Sequence, residues 1–232
     1  MWLQNRGESA FTRIMPYRRT ESIARRLAER EQTILDAAQS IAGEGGMGAV
    51  QIAAVAQRAD IAAGTVYRYF PSKNDLVSEM ISGTAERELA AMRAAADAAP
   101  GPLSALAACI ATFAARALQE RRLAWALTAE PVDAEIDALR LRFRRALVGE
   151  MEQRIAAAVV AGHLPVQDPR FAAPAVVGAV LEGVVGPLAP SASATREAVQ
   201  ATTLLALRAL GVVDARARGL VAQCTSEFIK PR

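Results

Sequence analysis

Three glycines near residue 45 have the spacing of a nucleotide-binding loop. Gly43, Gly45 and Gly48 form G-x-G-x-x-G, a pattern that lets the backbone turn tightly beneath a pyrophosphate. That chemistry needs a β-strand before the glycines and a helix after them. The apolar residues before them instead recur at three- and four-residue steps, as in a helix. We therefore interpret the segment as a helix terminus. A cofactor-binding protein or enzyme built around the 43–48 turn is the alternative.

The segment YRYFPSK carries side chains that commonly bind phosphate. Tyr67, Arg68, Tyr69 and Lys73 lie within two helical turns of one another, and their hydroxyl, guanidinium and ammonium groups are frequent partners of DNA phosphates. Ser72, with an acidic residue three positions later, forms a capping-box pattern that predicts a helix starting near Lys73. The two tyrosines are equally compatible with packing against a neighbouring helix, so both roles stay open.

Residues that catalyse reactions or bind metals are few and dispersed. Cys109 and Cys224 are isolated, and His163 is the single histidine, which favours neither a disulfide framework nor a zinc site. The sequence also contains no nucleophile elbow. We expect no enzyme activity, no metal and no cofactor. A reducing, cytoplasmic environment fits the unpaired cysteines.

Composition and periodicity predict an all-α protein. The 232 residues are 52% hydrophobic, much of it alanine, and only 5% aromatic, which favours helices over strands. The stretch 171–190 is long enough to cross a membrane, but Glu182 and two prolines interrupt it, so we predict a buried interface helix and no membrane partner. The apolar spacing predicts about nine helices. They run from residue 21 to the glycines, over 50–59, through TVYRYF after a break at DIAAG, and over 73–99, 103–119, 123–129, 131–162, 171–190 and 195–210.

The positive charge is concentrated at the amino terminus. The chain has a net charge of +3, whereas residues 1–30 alone carry seven arginines against three glutamates. We predict that residues 1–20 form a basic, flexible arm. Such an arm either lies in the minor groove of DNA or remains a solvated tail.

Residues 34–80, from ILDAAQ to LVSEM, resemble the DNA-binding domain of the tetracycline-repressor (TetR) family of transcriptional regulators. The resemblance implies a helix-turn-helix domain over 21–75 and a larger helical-bundle domain over 76–232 for effector binding and dimerisation, with 73–99 as the linking helix. It implies a ligand-responsive repressor that binds a palindromic operator in double-stranded DNA as a homodimer. A DNA-binding protein of this fold that senses no effector is a further alternative.

The same resemblance implies roles for individual positions. The recognition helix corresponds to 62–69, and Tyr67 and Lys73 stand where the family contacts phosphates. Asp60 stands where a glycine is usual in the turn between the two helices. Because small residues begin the recognition helix, few side chains remain for base contacts, and we expect DNA shape and phosphates to contribute more. The predicted DNA-binding residues are Gln51, Ala62, Ala63, Gly64, Thr65, Tyr67, Arg68, Tyr69 and Lys73.

The larger domain is predicted from weaker patterns. Its dimer helices are expected at 171–190 and 195–210, where small residues permit close helix approach. The effector is expected to be small and apolar, although each residue that would line its pocket is better explained as ordinary bundle core. Those candidate pocket residues are Phe113, Trp125, Leu127, Phe143 and Met151. A solvated face is predicted for Arg140, Arg142, Arg144 and Arg145.

Overall fold

The computed structural model describes residues 15–130, 134–189 and 196–225. These residues form ten α-helices and one short 3-10 helix, Met47–Ala49, with no β-strand among them. The predicted all-α class is confirmed, and the helix beyond the expected nine, α10, lies in a tail for which periodicity gave no prediction. The helices are α1 (Met15–Gly45), α2 (Ile52–Arg58), α3 (Ala63–Tyr69), α4 (Lys73–Asp97), α5 (Pro102–Gln119), α6 (Arg121–Thr128), α7 (Ala134–Val160), α8 (Pro169–Val184), α9 (Arg196–Ala209) and α10 (Asp214–Cys224).

Helix α1 extends well beyond the core that holds its carboxyl-terminal half. It begins at Met15, inside the range predicted as a flexible arm, while residues 1–14 lie outside the described residues. From residue 21 to residue 33 its side chains are exposed or half-buried, and Ile34 is its first buried residue. The arm therefore stays a prediction.

Side-chain caps hold the starts of α4 and α8, and the start of α4 lies where the sequence predicts it. The hydroxyl of Ser72 accepts a hydrogen bond from the Asp75 amide at 3.1 Å, and the Asp75 carboxylate accepts one from the Ser72 amide at 2.9 Å. Asp168 caps α8 by accepting from the Arg170 amide at 2.9 Å, with proline in the first helical position. These caps satisfy amides that have no partner within the helix. At its other end, α8 stops at Val184, short of the predicted residue 190.

The buried apolar side chains form two clusters. One cluster holds α1 to α4 together around residues such as Ile34, Val66 and Leu76. The other joins most of α4 to α5 and α7–α10. Leu123 and Leu127 of α6 belong to the first cluster, although they lie far from it in sequence. Helix α6 is therefore part of the helix-turn-helix core, and the division at residue 75 remains a prediction about domains.

Helix α5 is the apolar centre of the larger cluster. It is the one described helix long and apolar enough to cross a membrane, and 72% of that window is buried inside the protein. A helix that is hydrophobic on all sides is expected at the centre of a bundle, where neighbours cover every face. Helices α4, α7, α9 and α10 pack around it.

The prediction of a solvated arginine face on α7 was wrong for Arg140. Arg142, Arg144 and Arg145 are exposed, but Arg140 is only 1% exposed. Its guanidinium donates hydrogen bonds to the backbone carbonyls of Glu130 and Ala126. The side chain is buried because it reaches these carbonyls at the end of α6, a contact between distant segments that charge periodicity does not reveal.

Candidate DNA-binding surface and effector cavity

Helices α2 and α3 form a compact helix-turn-helix. Val55 and Ala56 of α2 and Val66 of α3 are buried, as is Phe70 just after α3. Arg58 at the end of α2 donates to both carboxylate oxygens of Glu44 on α1, at 2.6 and 2.7 Å. These hydrogen bonds hold the pKa of the Glu44 carboxyl at about 2, well below its ordinary value.

The turn between α2 and α3 contains a strained residue. Asp60 has φ 53° and is the one described non-glycine residue with a positive φ. The left-handed region favours glycine, and aspartate tolerates it better than most other residues. The structure thus gives a conformational reason why a glycine would suit this position.

Replacing Asp60 with glycine is expected to raise the free energy of unfolding by about 0.5–1 kcal/mol, since glycine adopts the left-handed conformation without a side-chain penalty. The Asp60→Ala variant is the matched control. It removes the same carboxylate but keeps a Cβ, so it is expected to lower stability. Urea denaturation of the two variants checks this, and equal stabilities would show that the backbone conformation is not the cause.

None of the predicted DNA-binding residues is buried. Gln51, Ala62, Ala63, Gly64, Tyr67 and Arg68 are exposed, whereas Thr65, Tyr69 and Lys73 are half-buried. A Cβ added at Gly64 would meet no atom within 4 Å. The backbone at the start of α3 is therefore open to solvent and accessible to a binding partner. Such a surface favours close approach to a groove over long side-chain contacts with bases.

The two tyrosines have different environments. Tyr67 is 52% exposed, while Tyr69 packs against the helix-turn-helix core. The guanidinium of Arg68 lies 5.9 Å from the centre of the Tyr69 ring, a cation–π distance that holds the arginine at the surface. Gln51 caps α2 and donates from its side chain to the Gly48 carbonyl at 3.0 Å. Between Gln51 and Arg68, Arg68 is therefore the long side chain that the turn does not engage.

The glycine-rich segment ends α1 and docks it onto α6. Gly46 has φ 81°, which reverses the chain, and a Cβ on Gly45 would lie 2.6 Å from that of Ala49. Gly45 is thus required by a close approach. The next amide, of Met47, donates to the Glu130 carboxylate at 3.0 Å, and Arg122 donates to the Gly45 carbonyl at 3.2 Å. Since a helix precedes the segment, the nucleotide-loop alternative loses its structural basis.

A cavity of about 230 Å³ lies where α4, α5, α6, α7 and α8 meet. Three of the predicted pocket residues, Phe113, Leu127 and Phe143, line it, but Trp125 and Met151 do not. Met151 is completely buried in the larger cluster, two turns along α7 from Phe143. Trp125 lies on a different face of α6, because the lining residues there are Leu123, Ala124, Leu127 and Thr128.

An ion pair forms part of the cavity wall. Arg116 of α5 donates to the two carboxylate oxygens of Glu88 on α4, at 2.5 and 2.7 Å. This hydrogen bonding raises the pKa of Arg116 above its ordinary value. Sequence reasoning missed the pair, although a signal existed: Arg116 is the one charged residue in the otherwise apolar helix α5.

The two cysteines show no sign of a catalytic or metal-binding role. Cys109 and Cys224 are free thiols, and burial raises the pKa of Cys109 to about 12 and that of Cys224 to about 11. Thiols with such values are poor nucleophiles, since the thiolate is the reactive form. Within the described residues, no group of three or more histidine, cysteine or acidic side chains could hold a metal ion.

Comparison with known proteins bears on the helix-turn-helix. Residues 34–80 match the family model of bacterial regulatory proteins, tetR family. The chain is 54% identical over 59 residues to the HTH-type transcriptional repressor KstR of Mycolicibacterium smegmatis, an alignment that covers 25% of this chain and 29% of that protein. The chain therefore spans less than a third of the length of the curated relatives that it matches.

Comparison with solved structures covers most of the chain at low identity. RolR in complex with resorcinol superposes with a TM-score of 0.60 and 20% identity, over 86% of this chain and 96% of that one. The regulator FadR from Bacillus subtilis in complex with stearoyl-CoA gives 0.59 and 17%, over 84% and 97%. These likenesses establish a shared fold for both parts of the chain.

Proposed function

We propose that this chain, a tetR-family regulator by its residues 34–80, is a cytoplasmic transcriptional repressor that a small effector releases from its operator. The observation that carries the proposal is the family match folded as a helix-turn-helix with Tyr67 and Arg68 exposed. Regulators of this family are not enzymes. The cavity between α4 and α8 is the effector site in this proposal.

The DNA contacts proposed here follow from the exposed surface of α3 and the start of α4. Tyr67 and Lys73 contact phosphates, and Arg68 is the side chain available to a base edge. The bare backbone at Gly64 lets the helix approach the groove closely, so DNA shape carries much of the specificity.

A gel-shift titration on DNA upstream of the protein's own gene, at several salt concentrations, tests the proposal. We expect sequence-preferring binding that weakens steeply with salt, because phosphate contacts release counterions. Binding no tighter than to an unrelated fragment of equal length would contradict operator recognition in that region.

The dimer proposed here forms through α8 and α9. An apolar groove of about 340 Å³ runs between these helices, lined by small residues such as Ala172, Ala175 and Ala179. Leu205 on its edge is 62% exposed, and Phe171 at the start of α8 is 78% exposed. An apolar surface of this kind is typical of an interface. A two-fold dimer would also present two recognition helices to a palindromic operator.

Leu205→Glu is expected to convert the dimer to a monomer, because a carboxylate would be buried without a partner in a two-fold contact. Light scattering coupled to size exclusion measures the mass in solution. We expect about twice the 24.6 kDa of one chain for the unmodified protein and the mass of one chain for the variant. Leu141→Glu is the matched control, since Leu141 is an exposed leucine on α7, and it should leave the dimer intact. A dimeric Leu205→Glu protein would place the interface elsewhere.

The effector site is proposed from its place between the two cores. Helix α6 contributes Leu123 and Leu127 both to the helix-turn-helix core and to the cavity wall. A ligand that displaces α6 would therefore disturb the packing of α1, which α6 also holds through Arg122 and the Glu130 carboxylate. Structurally similar proteins carry resorcinol in one case and stearoyl-CoA in another, which supports a ligand-binding role for this part of the fold.

A further inference from the structure

We propose that the effector of this protein is a small, uncharged ring compound with hydroxyl groups that donate hydrogen bonds. The inference rests on the proposed function, because it concerns the ligand of the same cavity. It is drawn from three properties of the cavity wall: its volume, its charge balance and the hydrogen-bonding capacity of its polar atoms.

The volume limits the size of the ligand. Ligand pockets commonly measure about 300–1,000 Å³, and this cavity measures about 230 Å³. Phe113, Phe143 and Leu181 provide apolar wall, which suits the flat faces of a single ring. A long acyl chain or a coenzyme A thioester would not fit without displacing one of the five helices.

The charge balance disfavours anions. The charged residues that line the cavity are Glu88, Arg116 and the exposed Glu120, so the acidic groups outnumber the basic one. Both oxygens of Glu88 already bind Arg116. A carboxylate ligand would have to displace Glu88 from the guanidinium and leave that carboxylate partly buried without its partner, which is costly. An uncharged ligand leaves the ion pair intact.

Three polar side chains of the wall, Thr84, Glu88 and Thr128, offer acceptors, whereas Arg116 and Gln119 carry N–H donors. The hydroxyl of Thr84 donates to the Met80 carbonyl at 2.8 Å, and that of Thr128 donates to the Ala124 carbonyl at 2.6 Å. Each hydroxyl proton is therefore used, and only oxygen lone pairs remain for a ligand. The Glu88 oxygens likewise only accept. A hydroxyl group can donate to these oxygens and also accept from Arg116 or Gln119. Ethers and ketones only accept, so they leave the wall oxygens without a donor.

Calorimetric titration of the full-length protein with matched compounds tests the proposal. Resorcinol is the uncharged, donor-bearing probe, and 1,3-dimethoxybenzene keeps its ring and oxygen positions without the donors. Benzoate is the anionic probe, benzyltrimethylammonium the cationic probe and stearoyl-CoA the large one. We expect resorcinol to bind at least tenfold more tightly than each of the other four. Tightest binding by any of those four would overturn the inference.

A variant in the cavity wall provides an independent test. Glu88→Gln keeps the shape of the side chain but exchanges one acceptor for a donor, so the affinity for resorcinol is expected to fall at least tenfold. Glu86→Gln, on the exposed face of the same helix, should bind resorcinol like the unmodified protein. Equal affinities of the two variants would overturn the role of Glu88. The ligand series on the unmodified protein decides the ligand class even if Glu88→Gln fails to fold.

Operator release separates this inference from the function on which it rests. If stearoyl-CoA or benzoate releases the protein from its operator and resorcinol does not, the repressor function stands and the ligand class is wrong. If the protein without any ligand shows no operator preference, the proposed function itself is contradicted.

Discussion

Replacing Arg140 with methionine is expected to lower the free energy of unfolding by about 3 kcal/mol. The guanidinium lies buried between α7 and the end of α6, where it donates to the carbonyls of Ala126 and Glu130. Methionine fills much of the same volume but donates no hydrogen bond, so two carbonyls would lose a charged donor, and each unsatisfied buried group costs about 1–3 kcal/mol. Relief of the buried charge offsets part of that cost.

Thermal denaturation followed by circular dichroism measures this effect. For a chain of this size, about 3 kcal/mol corresponds to a decrease in Tm of about 6–12 °C. Arg142→Met is the matched control, because Arg142 lies two residues further along α7 and is exposed. It should leave Tm nearly unchanged. Equal effects of the two substitutions would mean that the buried contacts of Arg140 contribute little.

The position of Arg140 also explains why α6 can serve both parts of the protein. The helix has only eight residues, too few to be stable alone. Arg140 fixes the carbonyls at its end, and Glu130, two residues beyond that end, binds the Met47 amide at the turn after α1. The conformation of α6 therefore depends on α7 and on the helix-turn-helix together. This dependence is the physical basis of the coupling that we propose between the cavity and the DNA-binding surface.

Features governed by neighbouring residues were predictable from the sequence. The caps at Ser72 and Asp168 follow from side chains that bind amides two or three positions away. The burial of Val66 and Phe70 follows from helical spacing. Phe113 and Phe143 line the cavity, but their spacing alone favoured bundle core, since neighbouring residues do not show which core positions face a cavity.

Features that join distant segments were not predictable. Arg116 and Glu88 are 28 residues apart, and Met47 and Glu130 are 83 residues apart. Neither pair has a local pattern, because the partners meet only after the helices have packed. Arg140 was misassigned for the same reason: the nearby arginines on α7 are exposed, and its hydrogen-bond partners lie in α6 and two residues beyond its end.

Combining Tyr67→Phe with Lys73→Ala is expected to weaken operator binding about 100-fold. Each substitution removes one proposed phosphate contact, and hydrogen bonds to charged groups contribute about 1.5–3 kcal/mol, where about 1.4 kcal/mol is a factor of ten. Neither change should unfold the domain. Tyr67 is half exposed and keeps its ring, and Lys73 is the first residue of α4, where a positive charge opposes the helix dipole.

The salt dependence distinguishes the two contacts. Lysine releases counterions when it binds phosphate, so Lys73→Ala alone should reduce the slope of log K against log salt by about 0.9. Tyr67 carries no charge, so Tyr67→Phe should lower the affinity and leave the slope unchanged. Arg216→Ala is the control, since it removes an exposed cation from α10, which packs on α5 and α9, away from the helix-turn-helix. The same slope and affinity for Lys73→Ala and Arg216→Ala would show that Lys73 does not contact the operator. The DNA-binding surface would then be centred on Arg68 and would exclude the start of α4.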